Sequence, residues 1–300
     1  MLVGEKKVVD YKNKYNEYLA IFNQQLDIVI NKIKTNDPPE ILLQAMEYAV
    51  AGGGKRVRPV LLYATADALG VDLERVNEFA IAIEYIHSYS LVHDDLPSMD
   101  NDDYRRGKLS THKKFGEAYG ILTGDSLLNF AFEYCLSKKE FSPNDAKALS
   151  LLANYAGTFG MIAGQIYDLQ NEKSDDVSEK TLYKIYENKT AKLLTAPLLI
   201  SSILANNAYY NELKEFGYHL GIMFQISDDI MDVEGSVESI GKTPNKDVLE
   251  DKLTSIKVFS LNGAKEKREF HYKKCLEQLD KIENSEFLRL FCKNMFERTK

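Results

Sequence analysis

The chain has no tryptophan, only three cysteines among its 300 residues, and no excess of positive charge. Cys135, Cys275 and Cys292 lie far apart and form no CxxC pattern. The sequence therefore predicts neither a disulfide framework nor a zinc site, and it favours a reducing, cytoplasmic setting. A formal net charge of −7 argues against nucleic acid as a partner, because nucleic acids are bound mainly by clustered lysine and arginine. Any anionic ligand must meet a local basic cluster.

Long hydrophobic runs are also missing. No stretch of about 18 apolar residues occurs, and serine interrupts the longest candidate, APLLISSILA. The first residues, MLVGEKKVVDYKNKYNEYL, contain no apolar segment followed by a small-residue cleavage site. We therefore expect neither stable membrane insertion nor a secretory leader.

The alternating β-branched runs that indicate strands are absent, whereas apolar residues recur at helical spacing almost throughout. This pattern predicts an all-α protein. The predicted helices cover residues 10–33, 39–51, 55–69, 73–95, 112–119, 123–137, 144–169, 178–188, 191–205, 209–232, 248–260, 264–282 and 285–297. No segment between them is long enough to be a flexible interdomain linker, so residues 1–300 are expected to form a single domain.

Two acidic clusters stand out. The segment DDLPSMDNDD, residues 94–103, has five aspartates in ten positions, and it follows a predicted helix on which His87, Ser90 and Asp94 share one stripe. The first acidic cluster comprises Asp94, Asp95 and Asp100. The second, in FQISDDIMD, places Asp228, Asp229 and Asp232 with Gln225 at helical spacing.

Like charges on one helix face repel each other, so a cation is expected to compensate them. Magnesium prefers oxygen ligands and commonly uses one or two carboxylates together with substrate phosphates. A single acidic run is as easily a solvated turn, but a second run with DDxxD spacing favours two facing clusters that hold magnesium and a diphosphate. Calcium binding of the EF-hand type is excluded, because Tyr104 and Arg105 occupy the fifth and sixth loop positions counted from Asp100.

Basic residues occur at positions suited to phosphate. The segment GGGKRVRP, residues 52–59, supplies Lys55 and Arg58 after three glycines, but it fails the nucleotide P-loop pattern GxxxxGK[ST]. Further candidates follow the first acidic cluster or lie in later segments: Arg105, Arg106, Lys189, Lys242 and Lys252. Each alone is more typical of a surface, but together they permit two anion sites beside one set of metals.

The ordered set GGGKRVRP, IHSYSLVHDDLPSMDNDDYRRG, GDSLL, GQIYDL, KT, FQISDDIMD and GK resembles the trans-polyprenyl diphosphate synthases over nearly the whole chain, and looks most like their bacterial farnesyl diphosphate synthase branch. The resemblance implies long helices around a central cavity and a homodimer. It also implies about three Mg²⁺ ions and the condensation of isopentenyl diphosphate with dimethylallyl and geranyl diphosphate.

The resemblance also implies a role for each matching residue. The metal ligands would be Asp94, Asp95, Asp100, Asp228, Asp229 and Asp232. The diphosphate of isopentenyl diphosphate would be bound by Lys55, Arg58, His87 and Arg106. The allylic diphosphate would be met by Arg105, Lys189 and Lys242, and oxygens of Thr190 and Gln225 would stabilise the allylic cation. Gln165 and Asp168, in GQIYDL, are candidates for holding the ligand side chains in place without binding the metal or substrate themselves.

Tyr89, five residues before Asp94, and its neighbour Ser90 are expected to set product length. In the family, bacterial enzymes that stop at fifteen carbons have an aromatic residue at this position. They also have two extra residues between the paired aspartates and the third one, and this chain has that longer spacing as LPSM, residues 96–99. One segment, EDKLTSIKVF, departs from the family pattern: Asp251 replaces a glycine, and Ser255 and Ile256 replace an aromatic-Pro pair. The role of Lys252 is therefore an open question.

Three alternatives follow from the same residues. A geranylgeranyl or longer-chain synthase would share every catalytic residue. A class I terpene cyclase would not need the second anion site formed by Lys55, Arg58 and His87. A noncatalytic subunit would not need both aspartate motifs.

Overall fold

A computed structural model describes residues 10–172, 176–234 and 252–298. These residues are mostly helical and contain almost no strand, which confirms the predicted all-α class. The helices are α1 (Tyr11–Thr35), α2 (Glu40–Ala51), α3 (Val57–Ala68), α4 (Asn77–Asp94), α5 (Thr111–Phe115), α6 (Glu117–Leu136), α7 (Pro143–Ala156), α8 (Met161–Asn171), α9 (Glu179–Tyr186), α10 (Lys192–Leu204), α11 (Tyr210–Glu234), α12 (Ser255–Leu279) and α13 (Glu286–Phe296).

Three short elements complete the description. A 3-10 turn (Leu73–Val76) precedes α4, and a π-helical turn (Glu187–Ala191) joins α9 to α10. Strands β1 (Tyr104–Arg105) and β2 (Lys108–Leu109) form a small antiparallel hairpin. No helix of the described residues is both long and apolar enough to cross a membrane.

The core is built around α4 and α10, because both are apolar on nearly every side. Every residue of α10 after Lys192 is buried, and α10 packs against α3, α7 and α11. Most of α4 between Phe79 and Val92 is buried, and its main partner is α6. A helix that is hydrophobic all round must lie inside the protein. The C-terminal end of α4 therefore carries Asp94 out of the core to a partly exposed position.

The predicted helix 144–169 is wrong as one element, since α7 and α8 are separate. Ser142 begins α7 with a capping box that it forms with Asp145. Between the two helices Gly160 adopts φ −135° and ψ −124°, and a Cβ there would collide with the carbonyl of Tyr155. The glycine spacing in this segment thus marks a break in the helix.

The end of the chain also differs from the prediction. The predicted start of a helix at 248 lies outside the described residues, and α12 begins at Ser255 with Thr254 as its cap. The gap between the predicted helices 248–260 and 264–282 corresponds to a kink at Ser260, which has φ 63° and ψ 167°. The chain continues in helical conformation on both sides of this residue.

Candidate active site

The first acidic cluster lies where α4 ends. The side chain of Asp94 accepts a hydrogen bond from Nε2 of Gln165 on α8. Burial raises the pKa of the Asp94 carboxyl from 3.8 to about 6, although nearby Lys189 acts in the opposite direction. Asp95 is buried and accepts a hydrogen bond from Nε of Arg105 at 2.9 Å. The two adjacent aspartates therefore have different surroundings.

The turn after α4 folds back on the helix end. The backbone N–H of Asp100 donates to the carbonyl of Asp94 at 2.8 Å, which holds the third aspartate beside the first. The Asp100 carboxylate is 3.2 Å from Nζ of Lys252. This contact places Lys252, the residue in the atypical segment, at the first acidic cluster.

The second acidic cluster lies near the end of α11. Asp228 and Asp232 are four residues apart, so they share one helix face, and both are partly exposed. Asp228 is 3.3 Å from the guanidinium of Arg298. Asp229 is turned to another side, is only 3% exposed, and accepts hydrogen bonds from Tyr186 and Ser255. Burial and the neighbouring Asp229 carboxylate keep the pKa of Tyr186 well above its usual value, so its hydroxyl remains a donor.

The acidic clusters fit magnesium by the chemistry of their donors. Asp94 is a carboxylate whose burial makes its charge unfavourable, and a cation would relieve that cost. Next to it, Oε1 of Gln165 is buried and has no hydrogen-bond partner among the described residues. Within residues 10–172, 176–234 and 252–298, however, no three acidic, histidine or cysteine side chains already form a metal-binding group. The carboxylates are instead engaged with lysine, arginine and amide groups of the chain.

A basic pocket of about 570 Å³ opens beside the second acidic cluster. Five cationic side chains and one imidazole line this pocket: Lys55, Arg56, Arg58, Arg106, Arg298 and His87. The only acidic residue in this lining is Glu84, which pairs with Arg56 at 2.6 Å. The remaining positive charge makes the pocket a site for an anion.

Two residues of the basic pocket are especially suited to an anion. Burial lowers the pKa of Arg58 to about 10, and its Nε has no hydrogen-bond partner among the described residues. Burial, together with Arg58 and Arg106, holds the pKa of His87 well below 6.5, so its imidazole is neutral at physiological pH. An oxyanion would satisfy the Arg58 donor and would favour a proton on His87.

The hairpin and the glycine loop bring Arg106 into this pocket. Arg105 is the last residue of β1 and reaches Asp95, whereas Arg106 lies in the turn of the hairpin with φ 51° and donates to the carbonyl of Gly53. Gly54 has φ +119°, and a Cβ on it would lie 2.6 Å from Nη1 of Arg106. Glycine is thus required here both by backbone conformation and by the close approach of Arg106.

A second, smaller pocket contacts a different face of α11, since Gln225 and Asp229 line it whereas Phe224 lines the basic pocket. This lysine pocket of about 90 Å³ is lined by Lys189, Lys252, Thr190, Gln225, Asp168 and Asp229, among others. Nζ of Lys189 is 2.5 Å from Asp168, and the hydroxyl of Thr190 donates to Oε1 of Gln225 at 2.9 Å. Burial lowers the pKa of Lys189, but the charges of Asp168 and Asp94 outweigh it and raise the pKa overall.

The residues predicted to control product length differ in their contacts. Tyr89 is 5% exposed, packs edge-on against His93, and has a buried hydroxyl with no hydrogen-bond partner among the described residues. Burial and the Asp94 charge raise the pKa of Tyr89 to about 12. The hydroxyl of Ser90 donates to the carbonyl of His87 at 2.9 Å, so it is used within α4.

The structure therefore brings most of the predicted site residues together. Lys242 lies outside the described residues. Sequence reasoning missed Arg298, Tyr186 and Ser255 as parts of the site, because their partners Asp228 and Asp229 are distant in the sequence. For Ser255 the sequence offered one signal, since this residue replaces the aromatic residue that is usual in the family.

Comparison with known proteins identifies the family. Residues 39–289 match the model of the polyprenyl synthetase family. The chain belongs to this family. Its polyprenyl synthetase relatives include the farnesyl diphosphate synthase of Geobacillus stearothermophilus, which is 44% identical over 262 residues covering 85% of this chain and 88% of the relative. A chloroplastic geranylgeranyl pyrophosphate synthase of Capsicum annuum is 43% identical over 232 residues, or 76% of this chain and 63% of the relative.

Solved structures agree with this polyprenyl synthetase assignment. The geranyltransferase from Legionella pneumophila has a TM-score of 0.84 at 31% identity, with coverage of 96% of this chain and 97% of that one. The geranyltransferase from Helicobacter pylori, solved in complex with magnesium and isoprenyl diphosphate, has a TM-score of 0.76 at 29% identity, with coverage of 93% and 96%. These comparisons confirm the resemblance seen in the sequence motifs.

Proposed function

We propose that this polyprenyl synthetase is a magnesium-dependent prenyltransferase that condenses isopentenyl diphosphate with dimethylallyl and then geranyl diphosphate to give farnesyl diphosphate. The observation that carries the proposal is the pair of cationic pockets beside two acidic clusters, which have no lining residue in common. Two diphosphate substrates need two such pockets. The relatives named farnesyl diphosphate synthase support the product.

In this proposal the basic pocket binds the diphosphate of isopentenyl diphosphate. Lys55, Arg58, His87 and Arg106 line it, as the resemblance implies, and Arg298 adds a further cation. The buried Nε of Arg58 supplies a donor whose hydrogen bond is made only when the anion is present. Uncharged His87 can donate one N–H to the same phosphate.

The lysine pocket would bind the allylic diphosphate. Lys189 and Lys252 line it, and Arg105 lies at the first acidic cluster, where it contacts Asp95. Lys242 enters this set through the family resemblance alone. The hydroxyl of Thr190 donates to Gln225, and this hydrogen bond orients both side chains towards the reaction centre without offering a strong nucleophile.

Magnesium would be held by carboxylates of the two acidic clusters. Asp94 and Asp100, and on the other side Asp228 and Asp232, have partly exposed side chains that suit this role. Asp95 and Asp229 belong to the ligand set implied by the resemblance, but their buried hydrogen bonds favour a supporting role. When bound, about three Mg²⁺ ions would neutralise the charge of the departing diphosphate.

The proposed reaction has three steps: loss of diphosphate, formation of a carbon–carbon bond, and loss of a proton. The bond between C1 of the allylic substrate and its diphosphate oxygen breaks, and the electron pair leaves with the diphosphate. The double bond of isopentenyl diphosphate then forms a new carbon–carbon bond to C1. A proton from C2 of the former isopentenyl unit passes to the released diphosphate. The cationic residues of both pockets hold the reacting ends close together and stabilise charge on the leaving group.

A geranylgeranyl or longer-chain synthase is the second candidate, supported by the Capsicum annuum relative. Buried Tyr89, one turn below Asp94, favours the shorter product, because a large side chain there would block the growing tail. The basic pocket argues against a terpene cyclase, which has only one diphosphate to bind.

The test is incubation of the purified protein with isopentenyl diphosphate, Mg²⁺ and either dimethylallyl or geranyl diphosphate, followed by sizing of the products. We expect a fifteen-carbon product from both primers and no turnover in excess EDTA. A dominant product of twenty or more carbons would replace the farnesyl assignment. Absence of product with every allylic primer would overturn the enzymatic proposal.

Assembly and setting are proposed on separate grounds. The chain would form a homodimer through exposed apolar residues of α6 and of α8 with its preceding turn: Tyr119, Ile121, Leu122, Phe159, Ile162 and Ile166. Contacts such as that of Tyr18 in α1 with Phe287 in α13 support one domain for the whole chain. The three cysteines are free and buried, which supports a reducing cytoplasmic setting.

A further inference from the structure

A buried hydrogen-bond cluster lies behind the lysine pocket. Oδ2 of Asp229 accepts hydrogen bonds from the hydroxyl of Tyr186 and from both the backbone N–H and the hydroxyl of Ser255, the last two at 2.7 Å. The Ser255 N–H also lies 2.9 Å from the Tyr186 oxygen. Exposure is 4% for Tyr186, 3% for Asp229 and 0% for Ser255. So many donors on one buried oxygen make a strong, directional contact.

The cluster connects three helices. Tyr186 is the last residue of α9, Asp229 lies near the end of α11, and Ser255 is the first residue of α12. The first N–H groups of a helix have no partner within the helix, and a carboxylate is favourable at that end. Asp229 of α11 thus accepts from the first N–H of α12 beside the Thr254 cap, while Tyr186 ties α9 to the same carboxylate.

Both lysines of the lysine pocket are close to this cluster along the chain. Lys189 follows Tyr186 by three residues, and Lys252 precedes Ser255 by three. Tyr186, Asp229 and both lysines line the same pocket. A change in the cluster must therefore shift the backbone that carries the cations.

We infer that Tyr186, Asp229 and Ser255 form a lock, the Asp229 lock, that positions Lys189 and Lys252 for the allylic diphosphate. This inference rests on the proposed function for its ligand. Tyr186 and Ser255 act through Asp229 and the lysines, and are therefore positioning residues. One residue of the lock departs from the family pattern, because Ser255 stands where an aromatic residue is usual. Its hydroxyl donates to Oδ2 of Asp229 at 2.7 Å.

The test compares two lock variants with two matched controls. Ser255→Ala and Tyr186→Phe each remove one hydroxyl and keep the size of the side chain. Ser285→Ala removes a buried hydroxyl that donates to the carbonyl of Leu279 at 2.9 Å. Tyr63→Phe removes a buried hydroxyl that donates to Asn77 at 2.8 Å. Neither control contacts the lysine pocket.

We expect the lock variants to raise KM for geranyl diphosphate about tenfold, because a hydrogen bond to a charged group is lost. KM for isopentenyl diphosphate should change by less than about twofold, since no residue lines both pockets. Hydrogen exchange of the amides in residues 252–258 should become faster in the ligand-free protein. The affinity for inorganic pyrophosphate with Mg²⁺, measured by calorimetry, should fall by a similar factor.

Several results would overturn the lock. One is unchanged exchange and unchanged pyrophosphate affinity in both variants. Another is an equal rise of both KM values with a fall in Tm, which would indicate general destabilisation. Failure of the proposed function looks different, because the wild-type protein would then make no prenyl product while exchange and pyrophosphate binding would still decide the lock.

Discussion

At the scale of single residues, neighbouring aspartates have different surroundings. Asp94 is partly exposed at the end of α4, whereas adjacent Asp95 is buried against Arg105. The same division separates Asp228 from Asp229 on α11. Helical geometry explains it, because successive residues are rotated by about 100° and cannot face one cavity together.

Asp94→Asn should stabilise the metal-free protein. The folded-state pKa of Asp94 is raised by burial, so its favourable contribution is present when the carboxyl is protonated and is lost as pH rises from 3.8 through about 6. Above that range the charge of the carboxylate is unfavourable at this site, and the uncharged amide removes that cost. In EDTA at pH 8 the variant should have the higher Tm, and the difference should shrink as pH falls towards 5.

Asp103→Asn is the matched control, because Asp103 lies in the same turn but is exposed and pairs with Lys113. It should change Tm little at either pH. An Asp94→Asn variant that is less stable than wild type at pH 8 in EDTA would contradict the unfavourable burial. The same variant should lose stabilisation by Mg²⁺ with pyrophosphate, as expected for a metal ligand.

Tyr89→Ala should lengthen the product. The change removes a buried ring one turn below Asp94, so the growing tail can extend further, to twenty carbons or more. Ser90→Ala serves as the comparison, since the Ser90 hydroxyl is used by the His87 carbonyl within α4. Chain lengths are measured by chromatography of the dephosphorylated products. Fifteen-carbon product from Tyr89→Ala would remove Tyr89 as the limit.

At the scale of elements, the spacing of residues along the chain predicted the helices themselves better than it predicted the contacts between them. The helical pattern placed both acidic clusters, because the residues of one face recur every three or four positions. It failed at Gly160, where a local clash breaks the predicted helix 144–169. It also missed Arg298 and Tyr186, whose partners Asp228 and Asp229 are distant in sequence. Such pairings depend on tertiary packing, which periodicity does not report.

Gly54→Ala should weaken binding of isopentenyl diphosphate selectively. A methyl group at this position would displace the guanidinium of Arg106, and we expect KM for isopentenyl diphosphate to rise about tenfold. Gly70→Ala is the matched control, since Gly70 also has positive φ and no atom lies within 4 Å of its added Cβ, but it does not line the basic pocket. Steady-state kinetics with each substrate varied in turn separates the effects. Equal KM values for the two variants would contradict a role for Arg106 placement.

At the scale of the whole molecule, two apolar surfaces are exposed. Ile162 and Ile166 share one face of α8 and are 44% and 48% exposed, and Leu122 on α6 is 55% exposed. Their neighbours Gln165 and Asp168 contact Asp94 and Lys189. Assembly through this helix would therefore bear directly on the substrate site.

The double variant Ile162→Lys/Ile166→Lys should be monomeric. Two buried charges at the proposed interface would oppose association, because they would lose hydration without gaining partners. Light scattering after size-exclusion chromatography measures the mass. Ile28→Lys/Phe270→Lys is the matched control, since both residues are 49% exposed on other helices, α1 and α12. A dimer that persists in the α8 variant, or dissociates equally in the control, would contradict this interface.

The π-helical turn Glu187–Ala191 has a consequence for how this protein tolerates changes in length. It holds one residue more per turn than an α-helix, and Lys189 and Thr190 lie within it. Gly164 packs against its backbone so closely that a methyl group would collide with Lys189. Deleting one residue there would remove the extra residue of the π-turn, so the turn would become α-helical and Lys189 and Thr190 would leave their present positions. Natural variation in this segment should therefore replace residues and leave their number unchanged.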